Sequence, residues 1–136
     1  MGTPAQDIGL HLAGIGLGSI QASDGWSINL ATEPAKPDDT ITLYDYGGRD
    51  ALLYGRDLRQ PSVQVRVRSR EYLAGYAKHT EIVDALHDII DRDIDGHRYV
   101  GIWQIGDIQS IGRDDNNRYV MTANYQITRE SIAQEA

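Results

Sequence analysis

The sequence has no cysteine, which removes disulfides, thiolate nucleophiles and thiolate metal sites together and leaves the redox compartment unmarked. Basic residues are outnumbered: thirteen Lys and Arg stand against twenty Asp and Glu, a net charge of −7. Such a chain is poorly suited to holding nucleic acid, because non-specific affinity comes from neutralised phosphates. Long apolar runs are missing as well. The softest stretch, Ile8–Ile20, is broken by His11 and by glycines at 14, 16 and 18, and is too short to span a bilayer. Residues 1–7 hold no Lys or Arg, so the positive flank of a signal peptide is absent. Neither secretion nor membrane attachment is expected. There is no low-complexity tract and no internal repeat.

What remains fits one folded domain of 136 residues. A chain of that length buries roughly two thirds of its unfolded surface. Thr3-Pro4-Ala5-Gln6 has the form of a helix start, with a capping hydroxyl, proline at the first helical position and Gln at the third. Ile8, Leu12 and Ile15 follow at i, i+4, i+7, so a helix is predicted over about 1–15, stopped by the glycines. Residues 25–31 alternate apolar with polar and read as a strand, followed by a loop, Glu33–Asp39, that holds two prolines. Thr40–Tyr46 is a second β-rich run, closed by Gly47-Gly48. From 47 to 61 no period is clear, and the segment reads as an irregular arm. Ser62–Arg68 alternates cleanly, Val63, Val65 and Val67 against Gln64, Arg66 and Arg68.

The period then lengthens. Tyr72, Tyr76, His79, Val83, Leu86 and Ile90 mark one stripe of a long helix over about 70–90, ended by acidic residues and Gly96. His97–Ile105 and Ile108–Gly112 read as short strands, and Asp114–Asn117 as a turn. Arg118–Arg129 is a long strand with Tyr119, Met121, Ala123, Tyr125 and Ile127 on one face, and the last six residues are expected to fray. The elements predict an α+β fold: a mostly antiparallel β-sheet packed by one long and one short α-helix, with strands within 25–68 and a β-rich region over 97–129.

Catalytic patterns are hinted at and then fail. Asp91-Arg92-Asp93-Ile94-Asp95-Gly96 matches the first half of an EF-hand loop, but Ile102 stands where the loop needs a bidentate Glu. A degenerate cation site from Asp91, Asp93 and Asp95 competes with a solvated helix end and turn. Gly14-Ile15-Gly16-Leu17-Gly18 has the wrong spacing for a phosphate loop. The histidines at 11, 79, 87 and 97 lack metal-ligand spacing, and His79, on the apolar stripe, reads as a hydrogen-bonded core histidine. No catalytic constellation is found, so neither enzyme activity nor a cofactor is expected.

One asymmetry stands out. Residues 49–70 hold six arginines against Asp50 and Asp57, whereas residues 81–95 hold six acids against Arg92. The two segments either satisfy each other within one subunit or form the two halves of a head-to-tail contact between subunits. On the second reading the candidate interface comprises Arg49, Leu52, Leu53, Tyr54, Arg56, Arg59, Arg66 and Arg68 on one side. Asp84, Asp88 and Asp91 form the other. Reversing Arg66 and Arg68 to Glu is then expected to impair assembly and leave the fold intact.

Several segments together resemble a known family. The Gly16-Leu17-Gly18 helix end, Pro37-Asp38-Asp39-Thr40-Ile41-Thr42-Leu43-Tyr44-Asp45-Tyr46-Gly47-Gly48, the strand Pro61-Ser62-Val63-Gln64-Val65-Arg66-Val67-Arg68 and the helix led by Tyr72 are similar to the tail terminator proteins of long-tailed bacteriophages. The likeness covers about residues 8–128 and carries no active site. It implies a virion protein, assembled in the host bacterial cytoplasm, that forms a ring, usually a hexamer, on the end of the tail tube. It also implies partners: further copies of the chain, the tube protein, and head or neck connectors, with DNA passing through unbound. A neck or head-completion connector, or a ligand-binding domain with Trp26 and Trp103 lining an enclosed pocket, are the alternatives.

Overall fold

A computed structural model describes residues 2–49 and 58–131. The first helix, α1 (Pro4–Gly14), begins as its sequence dictates: the Thr3 hydroxyl accepts from the Gln6 N–H at 3.1 Å, and proline occupies the first turn. Strands β1 (Ser19–Ile20), β2 (Ser27–Leu30), β3 (Thr40–Arg49) and β4 (Leu58–Ser69) follow, then α2 (Tyr72–His87). The chain closes with β5 (Ile90–Ile94), β6 (His97–Arg113) and β7 (Tyr119–Ser131). They form one curled seven-stranded sheet in the order β1-β2-β3-β4-β7-β6-β5. The β1–β2 and β2–β3 pairs are parallel and the other four antiparallel, as expected for a mostly antiparallel α+β fold.

Both helices cover one face of this sheet, α1 over β2 and β3 and α2 over β4, β6 and β7. Between them lies a continuous core that includes Ile8, Leu12, Ile41, Leu43, Val63, Val65, Val67, Ile82, Leu86, Tyr125 and Ile127. The alternation read from Ser62–Arg68 and from Arg118–Arg129 holds: all three valines and Met121, Ala123, Tyr125 and Ile127 are buried, with Tyr119 half-buried at the end.

Four expectations need correction. Gly47-Gly48 does not close β3, which runs on to Arg49 through a register shift, and β4 starts at Leu58, inside the expected irregular arm. Gly48, at φ +70°, is what permits this, since a side chain there would run into the backbone of Gln60 and Pro61. Only residues 50–57 of the arm lie outside the described residues. Second, α2 stops at His87, and Ile90 is 70% exposed on a strand instead of lying on the helix stripe. The inward face of α2 is Gly75, His79, Ile82 and Leu86; Tyr72 and Tyr76 are exposed at the start of α2. Gly75 lets this face sit close to the sheet, because a Cβ there would lie 2.7 Å from the Met121 methyl.

Third, the acidic run after α2 is not a helix end but a hairpin. Ile94 pairs with His97, leaving Asp95-Gly96 as a two-residue turn with φ of 49° and 85°. That is the Asp-Gly composition two-residue hairpins favour, because both central residues take positive φ. Fourth, the two short strands over 97–112 are one strand, β6, bent by register shifts near Gly101, Gly106 and Gly112.

His79 is a core histidine, as its place on the stripe predicts. It is fully buried, with Nε2 3.2 Å from the Met121 carbonyl oxygen, an arrangement in which a neutral ring donates from Nε2. Burial pushes its pKa down to about 4. The unfolded chain therefore takes up a proton on this ring near pH 6.5 while the native state resists it, so stability is full above that pH and falls toward pH 4. The loss at pH 4 is expected to be on the order of 3 kcal/mol. Urea unfolding at stepped pH checks this: His79→Leu should flatten the decline between pH 6.5 and 4, and an unchanged slope would contradict it.

Candidate interaction surfaces

The arginines after β3 are spent mostly inside the subunit. Arg68 is 2% exposed, although it alternates away from the valines. Its guanidinium donates to the carbonyls of Pro34 at 2.6 Å, Pro37 at 2.9 Å and Asp38 at 3.2 Å, and lies 3.4 Å from Glu33. Arg118 grips the same loop from β7's start, donating to the Ala35 carbonyl at 2.6 Å and pairing with Asp114 at 2.9 Å. Arg66 pairs with Glu33 at 3.1 Å, and Arg70 with Asp38 at 2.7 Å. The loop that two prolines leave without internal backbone bonds is thus held by planar donors reaching across the sheet.

Among the described residues the two charged segments do not pair with each other. The arginines meet Glu33 and Asp38, while Asp91 pairs with Arg98 at 2.6 Å. Asp84 and Asp88 are exposed on and just after α2, and Arg59 is exposed on β4. Arg49 ends β3, and Leu52, Leu53, Tyr54 and Arg56 lie outside the described residues. Arg68 is therefore a buried loop anchor. Asp91 and Asp93 sit on strand β5 and Asp95 in its turn; among the described residues no three His, Asp or Glu side chains are grouped to hold a metal ion.

A second buried cluster had no sequence signal. Asp7 on α1 is fully buried and accepts from the Tyr99 hydroxyl at 2.6 Å and from Arg129 at 3.2 Å, with His97 Nδ1 at 3.1 Å. Arg129 also donates to the Gly2 carbonyl at 3.2 Å. Burial raises the Asp7 pKa, opposed by the Tyr99 hydrogen bond and the charges of His97 and Arg129. Burial likewise pushes the Tyr99 hydroxyl up, so it stays a donor. The group ties the start of the chain to β6 and β7, with its polar atoms facing one another.

The face of the sheet without helices is polar at its centre. Ser62 and Gln126 are 3.3 Å apart, as are Gln64 and Asn124, in rows that run across β4 and β7. Apolar groups show at the margins: Trp103 is 46% and Ile105 49% exposed beside an open cleft of about 360 Å³. Trp26 lies elsewhere, under the Lys78 ammonium at 5.3 Å, so the two tryptophans do not line a common pocket.

The chain is thus a helix-covered, mostly antiparallel sheet braced by buried polar clusters. The chain belongs to the bacteriophage tail terminator family, whose model matches residues 11–131. It is accordingly a structural component of the virion and not an enzyme. Among solved structures, a chain from the virion of a native gene transfer agent particle is similar in fold, with a TM-score of 0.64 at 14% identity. The likeness spans 94% of this chain and 95% of that one. No curated protein matches the chain.

Proposed function

We propose that the protein forms a ring, a hexamer by the family's habit, on the end of the tail tube. There it stops tube polymerisation and offers the surface to which the head or neck joins, with DNA passing through the ring unbound. The observation that carries this is the family match across residues 11–131, nearly the whole chain. The fold neighbour, itself a chain of a gene transfer agent virion, supports it along almost its full length. An acidic subunit, whose Arg66 and Arg68 on the helix-free face are paired with Glu33, suits a passage that DNA must leave freely.

Adding the purified protein to growing tail tubes tests the proposal. Elongation is expected to stop, with a ring at one end of each tube in electron micrographs and a single closed oligomer by native mass measurement. Binding to the portal or connector with no effect on tubes would favour the neck-connector reading instead.

A further inference from the structure

We infer that the two outer edges of the sheet are the two halves of a contact between copies of this chain: the β1–β2 edge, with Ile20, Leu30 and Lys36, receives the β5–β6 edge, with Asp93, Trp103 and Ile105, of the next copy. This rests on the ring reading above and names the surfaces that close it.

Both edges lack cover. β1 is two residues long and ends the sheet. On the other side β5 pairs with β6 only as far as Gly101, so the outer edge of β6 from Ile102 to Arg113 has no strand against it among the described residues. Open edges invite pairing and are normally blunted or covered. Here they carry apolar side chains: Ile20 is 45% and Leu30 40% exposed at one end, Trp103 46%, Ile105 49% and Ile90 70% at the other. Exposed apolar side chains also occur on and beside the helices, as at Leu73 and Ile15, but those on the terminal strands lie beside unpaired backbone.

Each edge also offers a charge that the other can meet. Lys36 is the one charged side chain lining an open cleft of about 390 Å³ beside Leu30, and it makes no ion pair among the described residues. Its loop is held rigid by Arg68 and Arg118, so the ammonium is presented on a fixed support. At the opposite edge Asp93 is exposed without a counter-ion among the described residues, whereas Asp91 beside it is taken by Arg98. Arg92 alternates to the other side of β5, where its charge acts on His11. The edges are separated by β3, β4 and β7, so one copy cannot join its own. A head-to-tail contact uses both edges of every copy and leaves none open once the ring closes. A partner of another kind would cover one edge and leave the other exposed.

The cysteine-free background allows a direct test. A Lys36→Cys/Asp93→Cys double variant, treated with a short bis-maleimide in the presence of tail tubes, should give a ladder of cross-linked species ending at the ring's subunit number. Each single-cysteine variant should give no ladder. Lys36→Glu or Asp93→Lys alone should weaken assembly about tenfold at low salt, and the two together should restore it. Trp103→Asp should abolish assembly with an unchanged circular-dichroism spectrum. If the wild-type protein forms rings by native mass but no ladder appears and the reversals are silent, this contact is wrong and the ring stands. If the wild-type protein stays monomeric even on tubes, the ring reading and this contact fall together.

Discussion

Replacing Arg68 with alanine is expected to destabilise the protein by about 3–5 kcal/mol, because it leaves several buried acceptors without a donor at once. Arg68 serves the carbonyls of Pro34, Pro37 and Asp38 and lies against Glu33, and water cannot replace it at 2% exposure. Arg68→Glu should be worse, since it sets a second carboxylate against Glu33. Arg66, whose side chain is 30% exposed and pairs with Glu33 alone among the described residues, should change stability by no more than about 1 kcal/mol on reversal. The double reversal expected from the sequence to spare the fold is therefore expected to unfold it, through Arg68 alone. Urea denaturation of the two single variants separates them; equal, small losses would mean that Arg68 does not anchor the loop.

Asp7→Ala is expected to cost about 3 kcal/mol, with a melting temperature lower by roughly 10 °C. The carboxylate is the acceptor on which Tyr99, His97 and Arg129 converge, and its removal strands a largely buried guanidinium and a buried imidazole. Tyr99→Phe removes a single donor from the same group and should cost about 1–2 kcal/mol. The raised Asp7 value also sets a sign. The native carboxyl holds its proton more tightly than the unfolded chain, so this group's contribution is greatest below the ordinary Asp range and declines as pH rises through the folded value. Thermal melts of both variants check the order; a neutral Asp7→Ala would show that α1 is fixed by its apolar stripe alone.

The parts of the fold that rest on local signals were legible. Thr3-Pro4 started a helix, the valines of β4 faced inward, and the alternation from Tyr119 to Ile127 faced the same core. The errors arose where a local pattern admitted two readings. Asp91–Gly96 reads as either a metal loop or a helix end, while its Asp-Gly pair is the turn of a hairpin. Gly47-Gly48 reads as a stop, but glycine at positive φ can also carry a strand through a bulge. Arg68 shows the limit most plainly. Alternation puts it on the face opposite the valines, and only the tertiary path of the 33–38 loop reveals that this position is covered. The same holds for Asp7, whose partners His97, Tyr99 and Arg129 lie 90 or more residues away in sequence. Charge counts found an asymmetry but not its partners, because pairing depends on which strands become neighbours. The edge residues Lys36 and Trp103 carry no sequence pattern at all; their exposure follows from the strand order.

The length of the tail is the quantity on which the account turns. Virions or tails produced with this chain deleted, and with it restored, can be measured one by one in electron micrographs. A terminator predicts overlong tubes of variable length that fail to join heads, returning to one sharp length on restoration. Tubes of unchanged, uniform length in its absence would contradict the assignment of this chain to the end of the tail.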